Sequence, residues 1–134
     1  MPTEKNNQVL SSLKHLLKFR GLGQSLKLAL QGLVYLFFYH RNMRVIFLAG
    51  FMVALIGVYI KLKGIELVVL CATITLVFMA EMFNTAIEIL LDMLGEQYHA
   101  KIKLAKDISA AVVLIACLNA LAVGYILFVR KFFG

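Results

Sequence analysis

The sequence predicts an all-α integral membrane protein, a single domain of residues 1–134 with an N-terminal amphipathic surface helix and three transmembrane helices. Apolar residues make up 62% of the 134 residues, and the mean hydropathy is +0.89. Such a composition lies far from that of a soluble domain. The apolar residues also form three long runs with the charged residues at their edges. This distribution favours contact with lipid head groups over contact with nucleic acid.

Residues 10–39 have the pattern of helices that lie on a membrane surface. Leucines recur at helical spacing from Leu10 to Leu17, and basic residues stand between them. This alternation is typical of an amphipathic interfacial segment. Gly21 and Gly23 interrupt the pattern and predict a break into two helices.

Three apolar segments follow, each with the length and composition of a membrane span, since about 20 helical residues cross a bilayer. The predicted transmembrane helices are 45–62, 66–94 and 107–130. Gly95 is placed to end the second of them. The third has three polar interruptions within its apolar run: Ser109, Asn119 and Tyr125.

The positions of Lys and Arg predict how the helices are oriented. Of the 14 basic residues, ten precede the first span or lie between the second and third. Because cytoplasmic loops carry the excess of Lys and Arg, the N-terminus and the 92–107 loop should be cytoplasmic.

The stretch 80–99 holds the candidate site. Five polar residues share one face of a helix, within an arc of about 100°: Glu81, Asn84, Thr85, Glu88 and Asp92. An ionisable residue at membrane depth indicates a functional site. Counted from residue 66, Glu81 lies about 22 Å along the helix, at the inner-leaflet boundary, and Glu88 lies about 10 Å further out, in water.

Carboxylates at these two depths suit phosphoryl transfer to a membrane alcohol. Glu81 would take the hydroxyl proton as general base, and Glu88 would hold a Mg²⁺ that bridges nucleotide phosphates. Lys106 would neutralise phosphate charge, aided by the positive start of the third transmembrane helix. The chain contains neither a P-loop nor a Gly-rich kinase loop. Two alternatives stay open on the residues alone: polar contacts between helices of an oligomer, and a channel or carrier lined by Glu81.

The motif around these residues resembles that of the small bacterial membrane lipid kinases, the diacylglycerol kinase and undecaprenol kinase family. The family signature reads roughly E-x-x-N-[ST]-A-I-E-x-x-x-D…AKD, and its counterpart here runs from Glu81 through Asp92 and Tyr98–His99 to Ala105–Asp107. The similarity continues into the AAVVL that follows. It extends more loosely to Ser25–Leu33 and to the Arg-Asn-x-Arg stretch that begins at residue 41, which is closer to the undecaprenol kinase branch.

The resemblance implies a homotrimer in the bacterial inner (plasma) membrane, with active sites shared between neighbouring subunits. It implies transfer of the γ-phosphate of ATP, with Mg²⁺, to a lipid alcohol such as undecaprenol or diacylglycerol at the cytoplasmic leaflet. Glu81 would be the catalytic base, Asn84 would support it, and Glu88 would contact both the metal and ATP. Further contacts with ATP would come from Gln97, Tyr98, His99, Lys106 and Asp107.

Three positions depart from the family pattern. His40 stands where the family usually carries a Glu that shares the metal, and neutral imidazole is a poor ligand for Mg²⁺. We therefore expect weaker or altered metal binding if His40 is a ligand at all. Gln97 replaces a commonly acidic residue, and Gly21, next to Arg20, stands where a basic residue is common. The alternative function is a catalytically weakened family member that acts as a membrane assembly or lipid-binding protein.

Overall fold

The computed structural model describes residues 21–94 and 100–133, and its regular structure there is entirely helical. The four helices are α1 (Leu22–Tyr39), α2 (Arg41–Tyr59), α3 (Ile65–Asp92) and α4 (Ala100–Phe133). Helices α2, α3 and α4 are long and apolar enough to cross a membrane, which confirms the number of spanning helices that the sequence predicts. The predicted surface segment up to residue 20 lies outside the described residues, as do Gly95, Gln97, Tyr98 and His99. The chain divides into two units after Tyr35, and α2, α3 and α4 belong to the second.

Helix α1 begins directly after Gly21, the first of the two glycines that predict a break. The carbonyl of Gly21 accepts hydrogen bonds from the N–H groups of Gln24 and Ser25, at 2.7 and 3.2 Å. Helix α2 begins at Arg41, four residues before the predicted start of the first span. His40 separates the two helices because its backbone is extended, with φ −112° and ψ 114°.

The turn between α2 and α3 ends α2 at Tyr59, earlier than the predicted residue 62. Lys61 adopts φ 62°, and the N–H of Leu62 donates to the carbonyl of Gly57 at 3.0 Å. These are the features of a Schellman motif, which usually has glycine at the left-handed position because other residues are strained there. Gly64 then takes φ 56° and starts α3. The hairpin is therefore tight.

Helix α3 packs against both of its neighbours and makes the larger contact with α4. Glycine allows α2 to approach closely: a Cβ atom on Gly50 would lie 2.8 Å from Cγ2 of Ile74, and one on Gly57 would lie 2.6 Å from Cδ2 of Leu70. Small residues at such crossings let two membrane helices pack backbone to side chain. The register between α2 and α3 is fixed by these contacts.

Helix α4 begins at Ala100 and not at 107. The segment from Lys101 to Ala105 carries two lysines, but most of its residues are good helix formers and it contains neither Gly nor Pro. Lys106 and Asp107 therefore lie nearly two turns inside the helix. The expectation that the positive helix start assists Lys106 is wrong, because that effect is confined to the first turn.

Candidate functional site

The polar face of α3 is turned into the helix packing at its carboxyl-terminal half. The exposed fractions are 4% for Glu81, 7% for Asn84 and 2% for Thr85. Ser109 on α4 is 9% exposed and meets this face. Burying a polar group is costly unless it is hydrogen-bonded, and no buried side-chain nitrogen or oxygen in 21–94 and 100–133 lacks a partner.

A chain of hydrogen bonds joins α4 to the exposed Glu88. The hydroxyl of Ser109 donates to Oδ1 of Asn84 at 2.8 Å, and Nδ2 of Asn84 donates to Oε1 of Glu88 at 3.2 Å. The carbonyl of Lys106 is a second acceptor for the Ser109 hydroxyl, at 2.9 Å. A buried amide thus connects a helix–helix contact to an accessible carboxylate.

An ion pair lies at the same end of the two helices. Nζ of Lys106 is 2.7 Å from Oδ1 of Asp92, and the two side chains are 44% and 68% exposed. Such an exposed pair contributes little to stability, since water screens it. What it does is hold a cationic group of α4 beside the acidic end of α3. Asp107 is exposed on α4.

The start of α2 also reaches Glu81. The side chain of Asn42 lies near the Glu81 carboxyl group and favours its charged form, and both His40 and Glu88 lie close enough to interact with it electrostatically. Glu81 is therefore surrounded by polar groups from two helices although it is buried. A proton acceptor at this place has polar neighbours both at the start of α2 and on its own helix.

The sequence-predicted residues Glu81, Asn84, Glu88 and Lys106 are thus brought to one end of the helix packing. Two residues of the site, Ser109 and Asn42, were not singled out as site residues by the sequence. For Ser109 a signal was present: it follows Lys106 by three residues and so shares its helix face. Asn42 lies in the Arg-Asn-x-Arg stretch, where only the family resemblance points to it.

Glu88 has the right chemistry for a metal that arrives with a nucleotide. The described residues contain no group of three His, Cys, Asp or Glu side chains that could hold a metal ion. Mg²⁺ commonly binds through one or two carboxylates together with substrate phosphates and water. The exposed Glu88, with one oxygen held by Asn84, fits that pattern and does not fit a metal cage made of protein ligands alone.

Comparison with known proteins identifies the family. The sequence profile described as prokaryotic diacylglycerol kinase matches residues 27–128. A diacylglycerol kinase of Synechocystis is 37% identical over 101 residues, which cover 75% of this chain and 58% of the relative. A diacylglycerol kinase of Escherichia coli strain K12 is 35% identical over 72 residues, which cover 54% and 59% of the two chains.

An undecaprenol kinase of Bacillus subtilis strain 168 is also similar. It is 30% identical over 91 residues, which cover 68% of this chain and 74% of the relative. The match to the two diacylglycerol kinases spans less than two thirds of their length. The family profile covers most of the present chain and includes α2 and α3 completely and α4 up to residue 128. The chain therefore belongs to the prokaryotic diacylglycerol kinase family.

Proposed function

We propose that this chain is a lipid kinase that transfers the γ-phosphate of ATP to the hydroxyl of a membrane lipid alcohol at the cytoplasmic leaflet. The observation that carries the proposal is the juxtaposition of a buried Glu81 with an exposed Glu88 and a cationic Lys106 at one end of α3 and α4. The lipid hydroxyl would meet the buried Glu81, and the nucleotide would meet the exposed Glu88 and Lys106. Family membership supports the same activity.

In the proposed reaction Glu81 accepts the proton of the lipid hydroxyl. The lipid oxygen forms a bond to the γ-phosphorus, the bond to the bridging β–γ oxygen breaks, and ADP leaves. Lys106 neutralises charge on the phosphates, and Asp107, Gln97, Tyr98 and His99 contact the nucleotide. Asn84 lies between Glu81 and Glu88 on the polar face of α3 and orients the Glu88 carboxylate through its hydrogen bond.

Glu88 would hold Mg²⁺ together with ATP. When bound, the ion neutralises charge on the β- and γ-phosphate oxygens. His40 would lie near this ion but contributes a nitrogen in place of the usual carboxylate, so that Glu88 is its main protein ligand. We further propose a homotrimer in the bacterial inner membrane, with sites shared between subunits. The N-terminus and residues 92–107, which include the first two turns of α4, would lie in the cytoplasm.

The relatives are named for two different lipids, diacylglycerol and undecaprenol. The proposed acceptor is therefore a lipid alcohol of either kind. The test is therefore a purified protein in bilayer discs with γ-labelled ATP, Mg²⁺ and each lipid in turn. We expect labelled lipid phosphate with at least one of them. Glu81→Gln should lower the rate at least 100-fold, as loss of a general base does.

The matched control is Glu66→Gln, the same change at the other end of α3, where Glu66 lies 3.9 Å from Lys131. This variant should retain the wild-type rate. Lipid binding without turnover would instead favour a weakened family member that binds lipid, an alternative suggested by His40. Ion flux that needs no ATP would favour a channel.

A further inference from the structure

We propose that Ser109 is a positioning residue: it fixes the orientation of the Asn84 amide and thereby the direction of the Glu88 carboxylate. The inference rests on the proposed function, since it concerns how the kinase site is held. Ser109 belongs to α4 and Glu88 to α3, so that the effect crosses the contact between two helices.

The geometry leaves the Asn84 amide little choice. Its oxygen receives the Ser109 hydroxyl at 2.8 Å, and its nitrogen donates to Glu88 at 3.2 Å. Asn84 is 7% exposed and Ser109 is 9% exposed. Water has little access to replace either partner, and a buried acceptor without a donor destabilises its arrangement.

An amide flipped by 180° would have nearly the same shape, so that only its hydrogen bonds distinguish the two orientations. In the flipped state, Oδ1 of Asn84 would face Oε1 of Glu88, and two acceptors with no hydrogen between them repel each other. Ser109 could then receive a hydrogen bond from Nδ2 while donating to the carbonyl of Lys106. The Glu88 carboxylate therefore disfavours the flipped amide, and the Ser109 hydroxyl supplies the donor that the remaining orientation needs at Oδ1.

Removal of the hydroxyl leaves Oδ1 of Asn84 buried without this donor. The amide is then held only through its nitrogen, so that it holds the Glu88 carboxylate less firmly. Groups that orient a metal-binding carboxylate typically change metal affinity or activity about 10- to 100-fold when they are lost. Ser109 also follows Lys106 by three residues on the same helix, so that one short segment of α4 sets the position of both an ammonium group and, through Asn84, a carboxylate.

The test compares Ser109→Ala with Thr73→Ala in bilayer discs. Thr73 is a matched control because its buried hydroxyl donates only within α3, to the carbonyl of Val69 at 2.8 Å. We expect Ser109→Ala to lower kcat about tenfold or more, to weaken binding of Mn²⁺ with a non-hydrolysable ATP analogue, and to leave KM for the lipid unchanged. Thr73→Ala should leave all three values near wild type.

Two further variants separate positioning from packing. Ser109→Thr keeps the hydroxyl and should restore most of the rate. If its extra methyl group prevents folding, Ser109→Cys, which keeps a weaker donor of similar size, should give a rate between those of the wild type and Ser109→Ala. Equal effects of Ser109→Ala and Thr73→Ala, or an alanine variant as active as the threonine or cysteine variant, would overturn the inference.

A spectroscopic readout keeps the inference testable without turnover. The side-chain NH₂ resonances of Asn84, assigned by their loss in Asn84→Ser, should shift and exchange faster with solvent in Ser109→Ala than in Thr73→Ala. Unchanged resonances would overturn the positioning role even if the protein is a kinase. Failure of the wild type to phosphorylate either lipid would count against the proposed function alone, since the resonances report Ser109 independently.

Discussion

His40 lies at the edge of the candidate site. It precedes α2 in an extended conformation, at the N-cap position, and it interacts electrostatically with Glu81. A carboxylate at the same place would be compatible with the helix, because acidic residues favour the positive start of a helix. It would also supply the oxygen ligand that Mg²⁺ prefers.

We therefore expect His40→Glu to lower the Mg²⁺ concentration for half-maximal activity several-fold, since it adds a carboxylate, the ligand type that Mg²⁺ prefers, to the candidate site. The measurement is a Mg²⁺ titration of lipid phosphorylation at saturating ATP. His40→Gln is the control, because it removes the imidazole without adding charge, and it should leave the midpoint near that of the wild type. An unaltered midpoint in His40→Glu would show that this position has no part in metal binding.

At the scale of single residues, helical periodicity alone predicts which polar residues share one face of α3. Residues three and four apart on one helix share a face whatever surrounds them, and Asn84 and Glu88 do meet. The partner of Asn84 on α4 could not be found in this way. Ser109 is 25 positions away, and which residues of two helices meet depends on packing that no single-helix pattern contains.

At the scale of the helices, the close approach of α2 to α3 depends on glycine. At Gly50, α2 comes so near to α3 that a methyl group would lie 2.8 Å from Cγ2 of Ile74. This methyl group of isoleucine is attached to Cβ and cannot swing away as the end of a leucine can. Close packing at this crossing therefore requires glycine at position 50.

We expect Gly50→Ala to destabilise the folded protein by about 1–3 kcal/mol, as overpacked cores are destabilised. Gly124→Ala is the matched control on α4, where the nearest atom would be 3.9 Å away, on Phe128. There the alanine is accommodated and should be neutral or stabilising by up to about 1 kcal/mol through helix propensity. Unfolding in mixed detergent micelles measures both; equal destabilisation by the two alanines would contradict the role given to Gly50.

The ends of the elements were harder to predict than their existence. Hydropathy detects an apolar run, but a helix continues as long as its backbone can, so α4 extends to Ala100 through a polar segment. Helix α2 ends at Tyr59, before the predicted residue 62, for the opposite reason. Lys61 occupies a left-handed position that glycine usually fills, and a lysine gives no sign of it in the sequence.

For the whole molecule, charge and hydropathy together predict a topology. The turn that contains Lys61 and Lys63 lies between α2 and α3, and the segment that contains Lys101 lies at the start of α4. The positive-inside rule places the first outside the cell membrane and the second in the cytoplasm. The candidate site, at the α4 start, would then face the compartment that holds ATP.

This orientation is testable by labelling. In a variant without Cys71 and Cys117, Lys63→Cys should react with a membrane-impermeant maleimide on intact cells stripped of any outer envelope. Lys101→Cys, the matched control, should react only after the membrane is permeabilised. The reverse pattern would place Glu88 and Lys106 on the outer side and would exclude cellular ATP as the phosphate donor.

Helix α4 runs without a break for 34 residues, about 51 Å at 1.5 Å per residue, whereas the hydrocarbon layer measures about 30 Å. Helix α4 is therefore about 20 Å longer than the hydrocarbon layer, and Lys106 lies in the first two turns of this helix. A transmembrane helix that is longer than the hydrocarbon layer can accommodate the mismatch by tilting. A change in tilt moves the amino-terminal end of the helix relative to the lipid surface. We therefore expect bilayer thickness to change the depth of Lys106 relative to the lipid head groups, and with it the rate of the proposed reaction.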